Sequence, residues 1–294
     1  MFKRIVLFLA VNALVIVAIS LILSLFNVRP YLTAYGLDLQ ALLIFCLIWG
    51  MVGALISLAL SRKMAKWMMH IQLINGSGPY KEVYEMVARL ARDANLPGVP
   101  EVGVFDSPQP NAFATGPTKR RSLVAVSTGL LSHMEKHELE AVLAHEISHI
   151  SNGDMVTMTL IQGVVNAFVM FLARILAYAL TVASRSNNRR GSYFSYYLCT
   201  TLFEIVFMVF GSMVIAAFSR YREFRADRGG AALTRKEHMI AALEKLKAIP
   251  ATASGKKSPL NALLISRPTG LGLCRLFSTH PRLDQRIERL KTSL

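Results

Sequence analysis

Apolar residues run unbroken along two stretches of this chain and recur at helix or strand spacing elsewhere. Ile5 to Phe26 and Leu39 to Leu60 each hold 22 residues with no Asp, Glu, Lys or Arg. A helix needs about 20 such residues to cross the hydrocarbon of a bilayer, so both stretches predict membrane-spanning helices. Lys3 and Arg4 precede the first, but it is too long for a signal-peptide core and no small-x-small cleavage site closes it, which marks a retained anchor. In the second, Gly50-x-x-x-Ala54 and Gly53-x-x-x-Ser57 are small-residue patterns that let helices pack closely.

Two further apolar stretches, Met155 to Ala183 and Tyr196 to Phe218, are interrupted by Gln162, Asn166 and Arg174 and by Glu204. A lone arginine at bilayer centre costs about 2.5 to 3.5 kcal/mol. An antiparallel hairpin turning near Arg189 places Arg174 and Glu204 at similar depth, so the pattern predicts that they pair. Arg185, Arg189 and Arg190 at the turn argue for the alternative, a hairpin that dips into the membrane or packs on the rest of the chain.

Strand-type runs at Glu101 to Phe105, Asn111 to Thr115 and Ser122 to Ser127, bounded by Pro108, Pro110, Gly116 and Pro117, predict a small sheet. Leu139, Val142, Leu143 and Ile147 then recur at helical spacing. Ser132-x-x-Glu135 reads as the capping box that starts this helix, and Asn152-Gly153-Asp154 as its end. A helix over Arg235 to Lys247, a linker from Pro250 to Pro259 and a basic terminal helix from Pro281 complete the reading. The chain thus divides into a membrane anchor (1–66), a part with the sheet and one helix (67–154), a hydrophobic hairpin (155–218) and a helical part (219–294).

Composition agrees with a membrane protein: 53% of residues are hydrophobic and the mean hydropathy is +0.41. Basic residues flank the first two spans (Lys3, Arg4; Arg62, Lys63, Lys66), whereas their connection holds only Arg29 and Asp38, so both termini are expected in the cytoplasm. The net charge of +15 lies next to apolar segments, as at Arg220, Arg222, Arg225 and Arg228, without interleaved aromatics. That favours anionic lipid headgroups over nucleic acid. Cys46, Cys199 and Cys274 offer neither a disulfide framework nor a thiolate metal site.

His145-Glu146-Ile147-Ser148-His149 is an H-E-x-x-H arrangement. On a helix, four residues is about 400° of rotation, so both imidazoles point the same way and can share one zinc ion. Glu146, about 100° round from His145, can serve as general base toward an attacking water. His133 and His137 repeat the spacing, but they occupy the helix's first turn about 120° away from His145 and His149, with Met134 rather than a Glu directly after His133.

The third ligand is less plain. Glu223 and Asp227 are one helical turn apart among four arginines and offer one carboxylate for the metal and one to hold an imidazole, although a solvated salt-bridged helix has the same pattern. His238 and His280 are rivals, as is Asp154, which follows His149 too closely to share its face. The strand at Asn111, Ala112, Phe113 and Ala114 can pair with an extended peptide through main-chain hydrogen bonds.

Taken with the two N-terminal spans, the segments Asn111 to Ala114, His145 to His149, Glu223-Phe224-Arg225-Ala226-Asp227 and Ser278-Thr279-His280-Pro281 followed by Arg286-Ile287 make the chain resemble the HtpX family of membrane-bound zinc metalloproteases, relatives of the CAAX prenyl endopeptidases. The resemblance implies one zinc per chain on His145, His149 and Glu223, Glu146 as general base, Asp227 behind a ligand, and His280 and Arg286 near substrate or the developing oxyanion. It implies a mainly α membrane protein, multi-pass, with a zincin-type α+β cytoplasmic domain containing a small sheet. The expected activity is zinc endopeptidase action on misfolded membrane proteins at the cytoplasmic face of a bacterial inner membrane. A CAAX-type processing protease, another metallohydrolase, and a non-enzymatic scaffold or transporter working through Arg174 and Glu204 are the alternatives.

Overall fold

The computed structural model describes residues 17–25, 31–33, 36–183, 189–249 and 276–292. Two compact units form, one from 1–57 with 158–215 and the other from 58–157 with 216–294. Of the first predicted span only 17–25 (α1) is described, and it is helical. The linker from Pro250 to Pro259, Cys274 and Arg185 lie outside the described residues.

In the first unit a short antiparallel hairpin of β1 (Leu32–Thr33) and β2 (Gly36–Leu37) leads into α2 (Leu39–Met68). The Asp38 carboxylate accepts the Ala41 N–H at 3.0 Å, satisfying one of the orphan donors of the first turn. The two interrupted apolar stretches become α6 (Asp154–Ala183) and α7 (Arg189–Leu233). Among the described residues, α2, α6 and α7 are long and apolar enough to cross a membrane.

Leu42, Cys46 and Ala167 are buried, with Phe45, Met170 and Phe171 packed against them. Phe168, Leu180, Ile205 and Phe210 are at least half exposed, an outward apolar face suited to lipid rather than water. Gly50 makes the close packing its pattern predicts: a Cβ there would stand 2.6 Å from the Gly163 carbonyl oxygen, so α2 and α6 touch backbone to backbone.

Arg174 and Glu204 pair as expected, Nη1 to Oε1 at 2.6 Å. The guanidinium also donates to the Met170 carbonyl at 3.1 Å and lies 5.6 Å from the Phe45 ring centroid. Each is a partner that a charge withdrawn from water needs.

The second unit is built on a four-stranded mixed sheet of β3 (Gln72–Ile74), β4 (Glu101–Phe105), β5 (Ala112–Thr115) and β6 (Leu123–Ser127), in the order β3-β4-β6-β5. β4 and β6 run parallel and the other pairs antiparallel, which leaves β5 at an edge. The three expected strands are present, and β3 is an addition. Another is α3 (Lys81–Asp93), whose Val83, Met86, Val87, Leu90 and Ala91 recur at helical spacing and enter the core with Val124, Val126, Leu139 and Leu143.

The start of the central helix differs from expectation. Ser127, in extended conformation, caps a short helix α4 (Thr128–His133) by accepting the Leu130 N–H at 3.0 Å. Ser132 lies inside α4 and gives its hydroxyl to the Gly129 carbonyl at 3.0 Å, so it cannot adopt the extended backbone of a cap. Glu135 is the N-cap of α5 (Lys136–Asn152), and it and Glu138 make the reciprocal capping box three residues later than Ser132-x-x-Glu135 implied. The helix ends where predicted, at Gly153 in the left-handed conformation (φ 70°). Two further helices, α8 (Lys236–Ala248) and α9 (Leu283–Thr292), complete the unit, with Met239, Leu243, Ile287 and Leu290 in the same core.

Candidate active site

Every residue of α5 from Ala141 to Ile150 is buried, a stronger enclosure than the one-sided stripe of the sequence implies. His145 and His149 therefore sit on a helix fixed on all sides, with the Nε2 atoms of their rings 3.1 Å apart. From α7, Glu223 reaches the same point, Oε2 lying 3.5 Å from His145 Nε2 and Oε1 lying 3.4 Å from His149 Nε2. The three donor atoms fall within 4.8 Å of one another, the separation of ligands around one metal ion.

Two glycines bring α7 this near. A Cβ on Gly229 would stand 2.6 Å from Ser148 Oγ and 2.9 Å from its Cβ, and one on Gly230 would stand 3.1 Å from the His145 backbone nitrogen. Sequence reasoning passed over this pair, although two adjacent glycines inside a helix are a readable sign of close approach.

The outer ring nitrogens are held as well. His145 Nδ1 donates to Asp227 Oδ1 at 3.0 Å, and His149 Nδ1 donates to Asp154 Oδ2 at 2.6 Å. With Nδ1 the donor on each ring, both Nε2 atoms present lone pairs toward one another. Glu223 Oε1 is buried beside them with no hydrogen-bond partner among the described residues. Two imidazole nitrogens and a carboxylate converging in a buried cluster make a donor set that fits a metal ion.

Electrostatics of the metal-free cluster follow from that convergence. Burial works to lower the His145 pKa, but the Asp227 and Glu223 carboxylates outweigh it and raise it to about 9. His149 is also raised, with Asp154 and Glu223 overcoming its desolvation. Burial opposes ionisation of Glu223, yet the His145, His149 and His280 rings beside it hold it well below the usual carboxylate range. Asp227 is likewise disfavoured by burial and brought down to about 2 by the Arg286 charge.

The remaining predicted residues separate into those near the cluster and those elsewhere. His280 lies with Nδ1 2.9 Å from Glu223 Oε2. Arg286, on α9, is buried and forms a two-pronged pair with Asp227, Nε to Oδ2 at 2.8 Å and Nη2 to Oδ1 at 2.5 Å, with Nη2 3.5 Å from His145 Nδ1. Glu146 is buried on α5. Asn111 is buried ahead of the edge strand, its backbone exchanging bonds with Ser127 while Oδ1 has no partner among the described residues. Ala112, Phe113 and Ala114 form most of that strand.

His238 lies on α8 with its ring 5.3 Å from that of His137, outside the donor cluster. The reason for discounting His133 and His137 changes: they stand on different helices, and His133 Nδ1 donates to the Gly129 carbonyl at 2.7 Å. Asp154, discounted as a ligand, is the residue that holds His149, and its other oxygen pairs with Arg225. That contact was not foreseen.

Residues 79–294 match the family described as Peptidase family M48. Over 99% of both chains, the protein is 47% identical to a protease HtpX homolog of Bacillus velezensis and 48% identical to one of Bacillus subtilis. Among solved structures, S. mikatae Ste24p aligns with a TM-score of 0.63 at 17% identity, a likeness of fold. That alignment covers 99% of this chain and 65% of the longer Ste24p chain.

Proposed function

The chain belongs to the HtpX proteases of peptidase family M48 and is a membrane metalloprotease, and from that premise we propose that it is a zinc endopeptidase of the bacterial inner membrane that cleaves misfolded or damaged membrane proteins at the cytoplasmic face. The observation that carries the site is the convergence of His145 Nε2, His149 Nε2 and Glu223 within 4.8 Å. Two imidazoles, one carboxylate and a position left for water or substrate form the ligand set of catalytic zinc. The catalytic parts are 67–154 and 219–294, and 1–66 and 155–218 are the membrane parts. Lys3, Arg4, Arg62, Lys63 and Lys66 support a cytoplasmic site and cytoplasmic termini.

Zinc held there supplies a Lewis acid for the scissile carbonyl and lowers the pKa of an attacking water. Asp227 holds the His145 imidazole with Nε2 free. Glu146 accepts the proton of the attacking water and returns it to the leaving amine. Substrate lies extended along β5 at Asn111 to Ala114, paired through main-chain groups with little dependence on side-chain identity, which suits an enzyme of unfolded segments. His280 approaches substrate from the C-terminal segment, and Arg286 acts beside it through its contacts with Asp227 and His145.

Purified protein digesting an unfolded test protein, with and without chelator, tests this reading. Broad cleavage, abolished by chelator and by Glu146→Gln while one zinc per chain is retained, is expected. Cleavage at a single defined site would favour a processing protease, and full activity of Glu146→Gln would end the protease mechanism.

A further inference from the structure

Both metal-facing histidines rest on a carboxylate, and each carboxylate rests on an arginine. For His145 the arm is Asp227 and Arg286, as described above. The second arm is built differently. His149 Nδ1 donates to Asp154 Oδ2 at 2.6 Å, and Asp154 Oδ1 pairs with Arg225. Asp154 is 1% exposed, and with one oxygen on each partner it has no freedom to leave either. Arg225 lies on α7 midway between Glu223 and Asp227, so a single helix supplies one cluster residue and, through Arg225 and Asp227, a brace for each of the two histidines.

We infer that Asp154 and Arg225 are positioning residues for His149, fixing its Nδ1–H tautomer and ring plane so that Nε2 faces the metal. The inference rests on the reading of His149 as a ligand. Local geometry supports it. Gly153, at φ 70°, breaks α5 in the left-handed conformation and starts α6 at once, which swings the Asp154 side chain back onto the ring five residues earlier. Arg225 grips the other oxygen of Asp154, so the carboxylate is held from both sides with one oxygen kept toward the His149 ring.

The test measures zinc affinity of the full-length protein by competition with a chromophoric chelator, alongside melting of the metal-free protein and the visible spectrum of its cobalt(II) form. Asp154→Ala is expected to weaken zinc binding by about 10- to 100-fold, the usual cost of losing such a partner, and to alter the cobalt ligand-field bands. Asp154→Asn, which keeps an acceptor without the charge, should fall between. Arg225→Gln should lose less, about three- to tenfold, with Arg225→Lys recovering part of it. Adding Arg225→Gln to Asp154→Ala should cost nothing further, because the arginine acts through the aspartate.

A purely structural role predicts instead that metal-free melting drops while zinc affinity and the cobalt spectrum stay as in wild type, and that result overturns the inference. If Asp154→Ala fails to fold, Arg225→Gln and Arg225→Lys decide: unchanged zinc affinity in both overturns it, and graded loss supports it. A wild type that binds no zinc, or a His149→Ala protein that keeps its zinc, brings down the parent reading and this inference with it. Wild-type zinc held equally tightly by Asp154→Asn and Asp154→Ala overturns this inference alone.

Discussion

Gly229 of α7 lies so close to Ser148 of α5 that a Cβ on the glycine would stand 2.9 Å from the serine Cβ. Rotating the Ser148 hydroxyl, which donates to the Ala144 carbonyl at 2.8 Å, cannot relieve that contact. In Gly229→Ala the helices must separate by tenths of an ångström.

Overpacking costs about 1 to 3 kcal/mol, against about 1 kcal/mol gained from the better helix propensity of Ala. A small net destabilisation is expected, with a larger effect on metal affinity because Glu223 moves away from His145. Ser148→Gly added to Gly229→Ala removes the clash and should restore much of the metal binding. Thermal melting and zinc competition on the single and double variants check this. Equal zinc affinity in wild type and Gly229→Ala would show that the contact does not set the ligand distance.

Arg174 and Glu204 make the second prediction. Their 2.6 Å contact leaves Arg174 15% and Glu204 33% exposed, so the pair is shielded but not sealed. Removing one partner strands a charge in an apolar setting and should cost about 3 kcal/mol, the low end for a broken buried pair. Arg174→Met with Glu204→Gln should cost less than either change alone. A double-mutant cycle in thermal stability measures the coupling, and additive effects would mean that the contact contributes nothing.

What could be read from the sequence was chemistry held within one element or between two elements joined as a hairpin. His145 and His149 were legible because their spacing on one helix fixes their relation, and Arg174 and Glu204 because a hairpin equates their depths. Glu223 is 74 residues beyond His149, across the hairpin, so residue type pointed to it but distance could not. Asp154 stands outside the donor set as expected, but its contact with His149 was hidden because rotation along a continuing helix separates them, whereas Gly153 ends the helix and turns the next residue back. Ser132 fits the capping pattern by sequence, but Ser127, the last residue of β6, already caps a helix that contains Ser132. Strand β3 has only three residues, too few to show a period.

Acidity supplies a third prediction. In the metal-free protein the His145 pKa is raised to about 9, against roughly 6.5 in an unfolded chain. A folded-state value above the unfolded one means that the native state holds the proton more tightly. The stability it contributes is fully present below about pH 6.5 and is lost as pH rises through about 9. A metal needs the same ring neutral, so loading must expel that proton. Metal-free protein should therefore melt at lower temperature at pH 9 than at pH 7, with the loaded form losing less. Zinc uptake at pH 7.5 should release protons, seen as a calorimetric heat that depends on the buffer. Heats independent of buffer would exclude this linkage.

The last prediction separates the two acids of α7. Glu223 lies 3.5 Å and 3.4 Å from the two Nε2 atoms, whereas Asp227 meets only the outer nitrogen of His145 and is itself gripped by Arg286. Loss of a ligand and loss of its support differ in degree. Asp227→Asn should weaken zinc binding by about 10- to 100-fold, and Glu223→Gln by more than that range. Asp227→Asn also leaves the Arg286 charge buried without its partner and should lower metal-free melting. Zinc content and melting temperature measured on the same preparations distinguish the two. Full zinc and full activity in Glu223→Gln would mean that another residue completes the site, with His280, 2.9 Å from that carboxylate, the nearest candidate.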